Sequence, residues 1–190
     1  KRPAREVVAQ ALEAKLKEMK ELGTAPDVLT FAGNGEPTAH PDFLNIIKDT
    51  IRIRDSYFPD AKVSVLSNAT MIGHEDVREA LMLVDNNILK LDTVNPEYIA
   101  TVDRPVSPSY DVRKVIDNMK LFHGHCIIQT MFMHGDGTDN VSEYYVAPWL
   151  EAVKDIQPEK VMVYTIDRET PDKLLAKATH EELDAIKARV

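Results

Sequence analysis

Glu36 stands where an apolar run breaks into a turn of small residues, in the stretch Val28-Leu-Thr-Phe-Ala-Gly-Asn-Gly-Glu-Pro-Thr-Ala-His-Pro41. The pattern predicts a buried strand that delivers Asn34, Gly35 and Glu36 to a ligand. Gly33 and Gly35 permit positive φ and a close backbone approach, and Pro37 keeps the turn extended. A second chemical pair is Lys90 and Asp92, two apart on one strand and therefore on one face. Lys90 inside a crevice would need a partner, and Asp92 is the nearest along its strand. An amine so placed, with Asp92 or Tyr164 to move protons, would suit Schiff-base chemistry on a carbonyl substrate.

Those residues need a scaffold that gathers strand ends. Apolar residues Val8, Leu12, Leu16 and Met19 recur at helical spacing between Arg5 and Leu22, and Gly23 follows as a cap. Strand-like runs come at Val28–Phe31, Val63–Leu66, Ile88–Leu91, Ile127–Met133 and Val161–Ile166. Helical segments are expected over Pro41–Arg54, Glu75–Leu83, Tyr110–His123, Val141–Ile156 and His180–Arg189, with Ser109 and Thr179 as N-caps. The strands alternate too little for a one-sided antiparallel sheet, so the expected class is α/β with a mostly parallel sheet. Its carboxyl ends would collect Asn34, Glu36 and Thr38, Ser67 and Asn68, Asp92 and Thr93, His134, and Tyr164, Asp167 and Arg168. That edge is where parallel α/β folds bind ligands.

Bulk composition narrows the rest. The 190 residues are 44% hydrophobic, enough for one substantial core, and a single domain over 1–190 is expected. The net charge of −8 opposes general attraction to nucleic acid or anionic lipid. No run approaches the ~18 apolar residues of a membrane span, and the charged start is no secretory signal, so a cytoplasmic protein is expected. Cys126 is the one cysteine, which precludes an intrachain disulfide and a cysteine-built metal or iron–sulfur site within this chain.

Other residues read as structural. His123 and His125 suit a helix C-terminus, and Trp149 a core anchor. Cys126 reads as a small buried hydrophobe. Glu181, Glu182 and Asp184 fit the solvated first turn of the last helix. Asp136 and Asp139 lie in a strand-to-helix loop without the spacing of a calcium loop.

The motif Phe31-Ala-Gly-Asn-Gly-Glu-Pro-Thr-Ala-His-Pro41 resembles the second-strand glycine–glutamate motif of radical S-adenosylmethionine enzymes, nearest to iron–sulfur oxidoreductases whose motif reads Gly-Asn-Gly-Glu-Pro-Thr. The βα succession, Asn68 after Val63–Ser67, and Tyr164-Thr-Ile-Asp-Arg168 are similar to that group as well. The resemblance implies a partial (βα)6 TIM-like barrel missing its first strand. It also implies S-adenosylmethionine bound to an iron of a 4Fe-4S cluster, cleaved reductively to a 5′-deoxyadenosyl radical that abstracts a substrate hydrogen. Asn34, Gly35 and Glu36 would then meet the methionyl ammonium. Thr38 belongs to the same motif and is expected to bind the cofactor with it, and Ser67, Asn68 and Asp92 resemble positions that contact the ribose or the methionyl carboxylate.

The family's CxxxCxxC loop is absent. Because the sequence opens where the first helix should begin, a fragment of a longer protein is expected, inert by itself and with an open sheet edge that could pair with another copy. A natural relative without a cluster is the alternative origin. An aldolase-like barrel using Lys90 and a non-catalytic binding module are the competing functions.

Overall fold

The computed structural model describes every residue except Lys1, Asn34, Asp136, Gly137, Thr138, Glu169, Pro171 and Asp172. Asn34 and Asp136, two residues singled out above, therefore lie outside the described residues. The chain forms two compact units, Lys1–Ile88 and Leu89–Val190.

The first unit runs α1 (Arg5–Glu21), β1 (Val28–Phe31), α2 (Phe43–Tyr57), β2 (Lys62–Ser67) and α3 (Glu75–Leu83). Helix α1 ends at Leu22 with Gly23 in the left-handed region at φ +68°, the conformation glycine adopts without Cβ strain. Helix α2 places Phe43, Ile46, Ile47, Thr50 and Ile53 on one buried face. Those positions follow the three-to-four-residue spacing that makes an amphipathic stripe. Arg5 joins α1 to α2 through a forked pair with Asp49, at 2.7 and 3.2 Å. Strands β1 and β2 are parallel, Val28 opposite Lys62 and Phe31 opposite Val65. Val63, Ser64 and Val65 are all buried, as in a sheet covered on both faces.

The second unit holds α4 (Pro96–Tyr98), α5 (Val112–Lys120), β4 (Ile127–Met131), β5 (Met133–His134), α6 (Glu143–Ile156), β6 (Lys160–Tyr164), β7 (Ala176–Lys177) and α7 (His180–Lys187). Strand β3 (Asn86–Lys90) carries the division between the units. Strands β4 and β6 are parallel, Ile127 opposite Lys160 and Met131 opposite Tyr164. Strands β5 and β7 form a separate antiparallel pair. Trp149 and Phe132 meet edge to face at 5.2 Å in the core, and Met119, Phe122 and Ile128 are likewise fully buried.

The hydrogen-bonded order of the larger sheet is β1-β2-β3-β4-β6. The class is α/β with a five-stranded parallel sheet whose strands follow chain order, as in a partial TIM-like barrel. No helix among the described residues is long and apolar enough to cross a membrane.

Three expectations need correction. The run Ile127–Met133 is not one strand: β4 stops at Met131, whose N–H donates to the Asp92 carboxylate at 2.9 Å, and Met133 N–H donates to the Asn140 side chain at 2.9 Å. Ser109 does not cap α5. Its hydroxyl pairs with Ser107 at 2.8 Å, and Asp111 caps instead by accepting from Arg113 N–H at 2.9 Å. Glu182 is not merely solvated, as described below.

Candidate cofactor site

In the first unit, β1 ends at Phe31 and the chain turns through Gly33, at φ +142°, into the short 3-10 turn Pro37–Ala39 capped by Glu36. Oε1 of Glu36 accepts from Thr38 N–H at 3.1 Å, Thr38 Oγ1 at 2.5 Å and Ser67 Oγ at 2.8 Å. Oε2 accepts from Asn68 N–H at 2.7 Å. The carboxylate thus ties the end of β1 to the end of β2. The carboxyl-end location expected for Glu36, Thr38, Ser67 and Asn68 is found, and these four residues converge. Gly35 is exposed and Glu36 half-buried. Thr38 and Ser67 are only 1% and 5% exposed, and their hydroxyls are spent on Glu36. An ionised carboxylate offers about four lone-pair directions, so Oε2, with one donor, keeps capacity for a cationic donor from outside.

In the second unit, Asp92 follows the carboxyl end of β3. Lys90 Nζ lies 2.7 Å from Asp92 Oδ2 and 3.7 Å from Asp103 Oδ1. The pairing anticipated from their spacing is present, and Asp92 also braces β4 through Met131 N–H. Burial would push the Lys90 ammonium down, but Asp92, with help from Asp103, raises it above its ordinary value. Asp103 is pushed up to about 6, first by burial and then by repulsion from Asp92. It sits at the end of a π-helical turn, Ile99–Asp103, closed by Arg104 at φ +46°. Sequence reasoning missed Asp103 because a π turn has no compositional signature. Tyr98, Tyr110 and Tyr164 all have raised phenols, chiefly through burial and then through Asp92 or Asp103. Thr93 is buried and accepts from Asn95 N–H at 3.1 Å. Asp167 and Arg168, at the end of β6, are exposed.

His134 bridges two carboxylates of the second unit: Nδ1 lies 2.7 Å from Asp139 and Nε2 2.9 Å from Glu182. Glu182 also completes a capping box with Thr179 at the start of α7. Hydrogen bonding to Glu182, then to Asp139, raises the His134 pKa, and hydrogen bonding to His134 lowers that of Glu182. The raised histidine contributes stability fully below its unfolded value of 6.5, and that stability is lost as pH rises through the folded value. The lowered glutamate contributes above its unfolded value of 4.5 and is lost as pH falls through the folded one. The melting advantage of the wild type over His134→Gln is therefore expected to peak between about pH 4.5 and 6.5 and to shrink above, as read by thermal unfolding across pH. An offset that does not change with pH would contradict the pairing.

Cys126 is buried, and burial pushes its thiol up to about 11, far from the thiolate that binds metal. Among the described residues no group of three or more His, Cys, Asp or Glu is arranged to hold a metal ion. The described residues therefore do not fit an iron–sulfur cluster, while Oε2 of Glu36 has room for a cationic N–H donor.

The model of the Radical SAM superfamily matches residues 1–147. A UPF0026 protein of Helicobacter pylori is 27% identical over 93% of this chain, which spans 55% of that relative. A protein named GTPase Obg from Brachyspira hyodysenteriae is 26% identical over 85% of this chain, which spans 23% of it. Among solved structures, TYW1 with a lysine–pyruvate adduct bound has a TM-score of 0.70 at 15% identity, covering 98% of this chain and 62% of that one. With a family model that spans most of its residues, the chain belongs to the Radical SAM superfamily.

Proposed function

We propose that this chain is the S-adenosylmethionine-binding part of a radical SAM iron–sulfur oxidoreductase, and that the Glu36 bend receives the methionyl ammonium. The observation that carries this reading is the asymmetric carboxylate: Oε1 takes three donors while Oε2 takes one, at the end of a parallel strand. When bound beside a 4Fe-4S cluster, the cofactor supplies reductive cleavage to methionine and a 5′-deoxyadenosyl radical that abstracts a substrate hydrogen. This chain's part is to bind and orient. Glu36 accepts from the ammonium, with Asn34 and Gly35 as its companions in the motif and Asn68 holding Oε2 in place. Asp92, in the second unit, keeps the cofactor-binding role that the resemblance implies for it, and its buried side chain is paired to Lys90.

One cysteine cannot supply the thiolates of a cluster, so the 190 residues are expected to be inert in reductive cleavage, and the thiolates of any cluster would have to come from elsewhere. The strands β1 and β6 that end the sheet order offer edges for pairing with a second copy. A cytoplasmic location, with neither membrane nor general nucleic-acid binding, agrees with the charge of −8.

A carbonyl adduct at Lys90 is the second reading, because TYW1 was solved with a lysine–pyruvate adduct. The raised ammonium of Lys90, 2.7 Å from Asp92, weighs against it, since such an adduct needs the neutral amine. A non-catalytic binding module is the third. Titration with S-adenosylmethionine separates the first reading from the other two: it expects saturable binding by the wild type and at least a tenfold loss in Glu36→Gln, which cancels the carboxylate's charge.

A further inference from the structure

The family resemblance implies cofactor contacts for Thr38 and Ser67, but their hydroxyls point inward at Glu36. Both residues are almost wholly buried, and both hydroxyls donate to the same oxygen, Oε1 of Glu36. Ser67 has no freedom to do otherwise. Its Oγ accepts from Ala69 N–H at 3.0 Å, which occupies a lone pair and leaves the hydroxyl proton directed at Glu36. The chain leaves this contact through Ala69, which holds φ +62° although it is not glycine. A left-handed alanine is a strained backbone conformation that persists only where surrounding contacts enforce it.

We infer that Thr38 and Ser67 are positioning residues: by loading Oε1 from within, they fix the Glu36 side chain in one rotamer and turn Oε2 outward as the acceptor for a primary ammonium. Without them the side chain loses the inner hydroxyl donors that hold it, its χ1 and χ2 torsions sample more than one staggered well, and neither oxygen is held outward. The ligand class follows from the acceptor. A half-buried anionic oxygen with a free lone pair favours a charged N–H donor over a neutral group. The inference rests on the proposed role of Glu36 and adds the source of its orientation.

The test uses Thr38→Val, Ser67→Ala and their combination, with Thr38→Ser as the conservative control. Two readouts are needed. The first requires no ligand: methylene couplings of Glu36 in the NMR spectrum report one rotamer in the wild type and in Thr38→Ser, and averaged rotamers in the double variant. The second is the affinity ratio between S-adenosylmethionine and its analogue lacking the amino group. That ratio is expected to fall about tenfold in the double variant and to stay near the wild-type value in Thr38→Ser. A purely structural role would weaken both ligands equally and leave the ratio unchanged. Should the double variant fail to fold, Ser67→Ala alone is read in the same two ways.

Unchanged couplings and an unchanged ratio overturn the inference. If the wild type shows no preference for the amino-bearing ligand, the proposed role of Glu36 fails instead, and the rotamer readout still decides whether the hydroxyls orient the carboxylate.

Discussion

Replacing Trp149 by alanine is expected to cost about 3–5 kcal/mol of stability, the range for deleting a large buried aromatic and leaving a cavity behind. Trp149 is 1% exposed on α6. Its indole N–H donates to Leu91 C=O and to Thr130 Oγ1, both at 3.1 Å, and its ring meets the edge of Phe132. Thr130 in turn donates to the same Leu91 carbonyl at 2.7 Å. The residue therefore carries the packing of α6 and seals the polar end of Leu91, one residue before Asp92. A chain of this length shifts in melting temperature by about 2–4 °C per kcal/mol, so a drop on the order of 10 °C is the thermal signature. Trp149→Phe keeps most of the ring volume and loses the donor, and it should fall roughly midway. A loss under about 1 kcal/mol in urea unfolding of Trp149→Ala would mean that the site collapses around the deletion and that α6 is not anchored there.

The second large effect is expected at Lys90. The Asp92 side chain is 3% exposed and Lys90 is its only cationic partner among the described residues. Lys90→Met keeps the aliphatic reach and removes the charge, leaving a buried carboxylate that still accepts from Met131 N–H. Removing one member of a buried pair typically costs about 3–5 kcal/mol. Lys90 is 38% exposed, so water compensates in part and about 2–3 kcal/mol is expected. The double variant Lys90→Met, Asp92→Asn removes the stranded charge and should recover most of that loss. A full thermodynamic cycle measured by chemical denaturation separates the coupling from the individual losses. A single-variant loss under about 0.5 kcal/mol, or a double variant no better than the single one, would contradict the role assigned to the pair.

The element pattern was legible where local chemistry agreed with it. Strand β1 and helix α3 fall at Val28–Phe31 and Glu75–Leu83, the ranges that periodicity predicts, and the Thr179 cap is present. The Lys90–Asp92 pair was readable from its spacing because residues two apart share a strand face. The interruption of β4 was not readable, because it is set by side chains of Asp92 and Asn140 that compete for strand N–H groups from elsewhere in the chain. The same limit explains the α5 cap. Ser109 has the right type, but the hydroxyls of Ser107 and Ser109 satisfy each other, and the helix starts at the next capable acceptor.

At the site, sequence identified which residues meet but not in which direction their hydrogen bonds run. Glu36, Ser67 and Asn68 are 31 and 32 positions apart, so only the fold decides that the two hydroxyls serve the carboxylate. His134 and Glu182, 48 apart, show the same thing: each had a sound local reading, and the contact between them is a product of tertiary packing.

The most direct measurement is NMR titration of the isotopically labelled chain with S-adenosylmethionine, followed at the amides of Gly35, Glu36 and Asn68, in wild type and in Glu36→Gln. The expected result is saturable shifts centred on these amides in the wild type, with affinity at least tenfold weaker in the variant. Saturation at a surface remote from the Glu36 bend, or equal affinity in the two proteins, would contradict the assignment of the methionyl ammonium to Glu36.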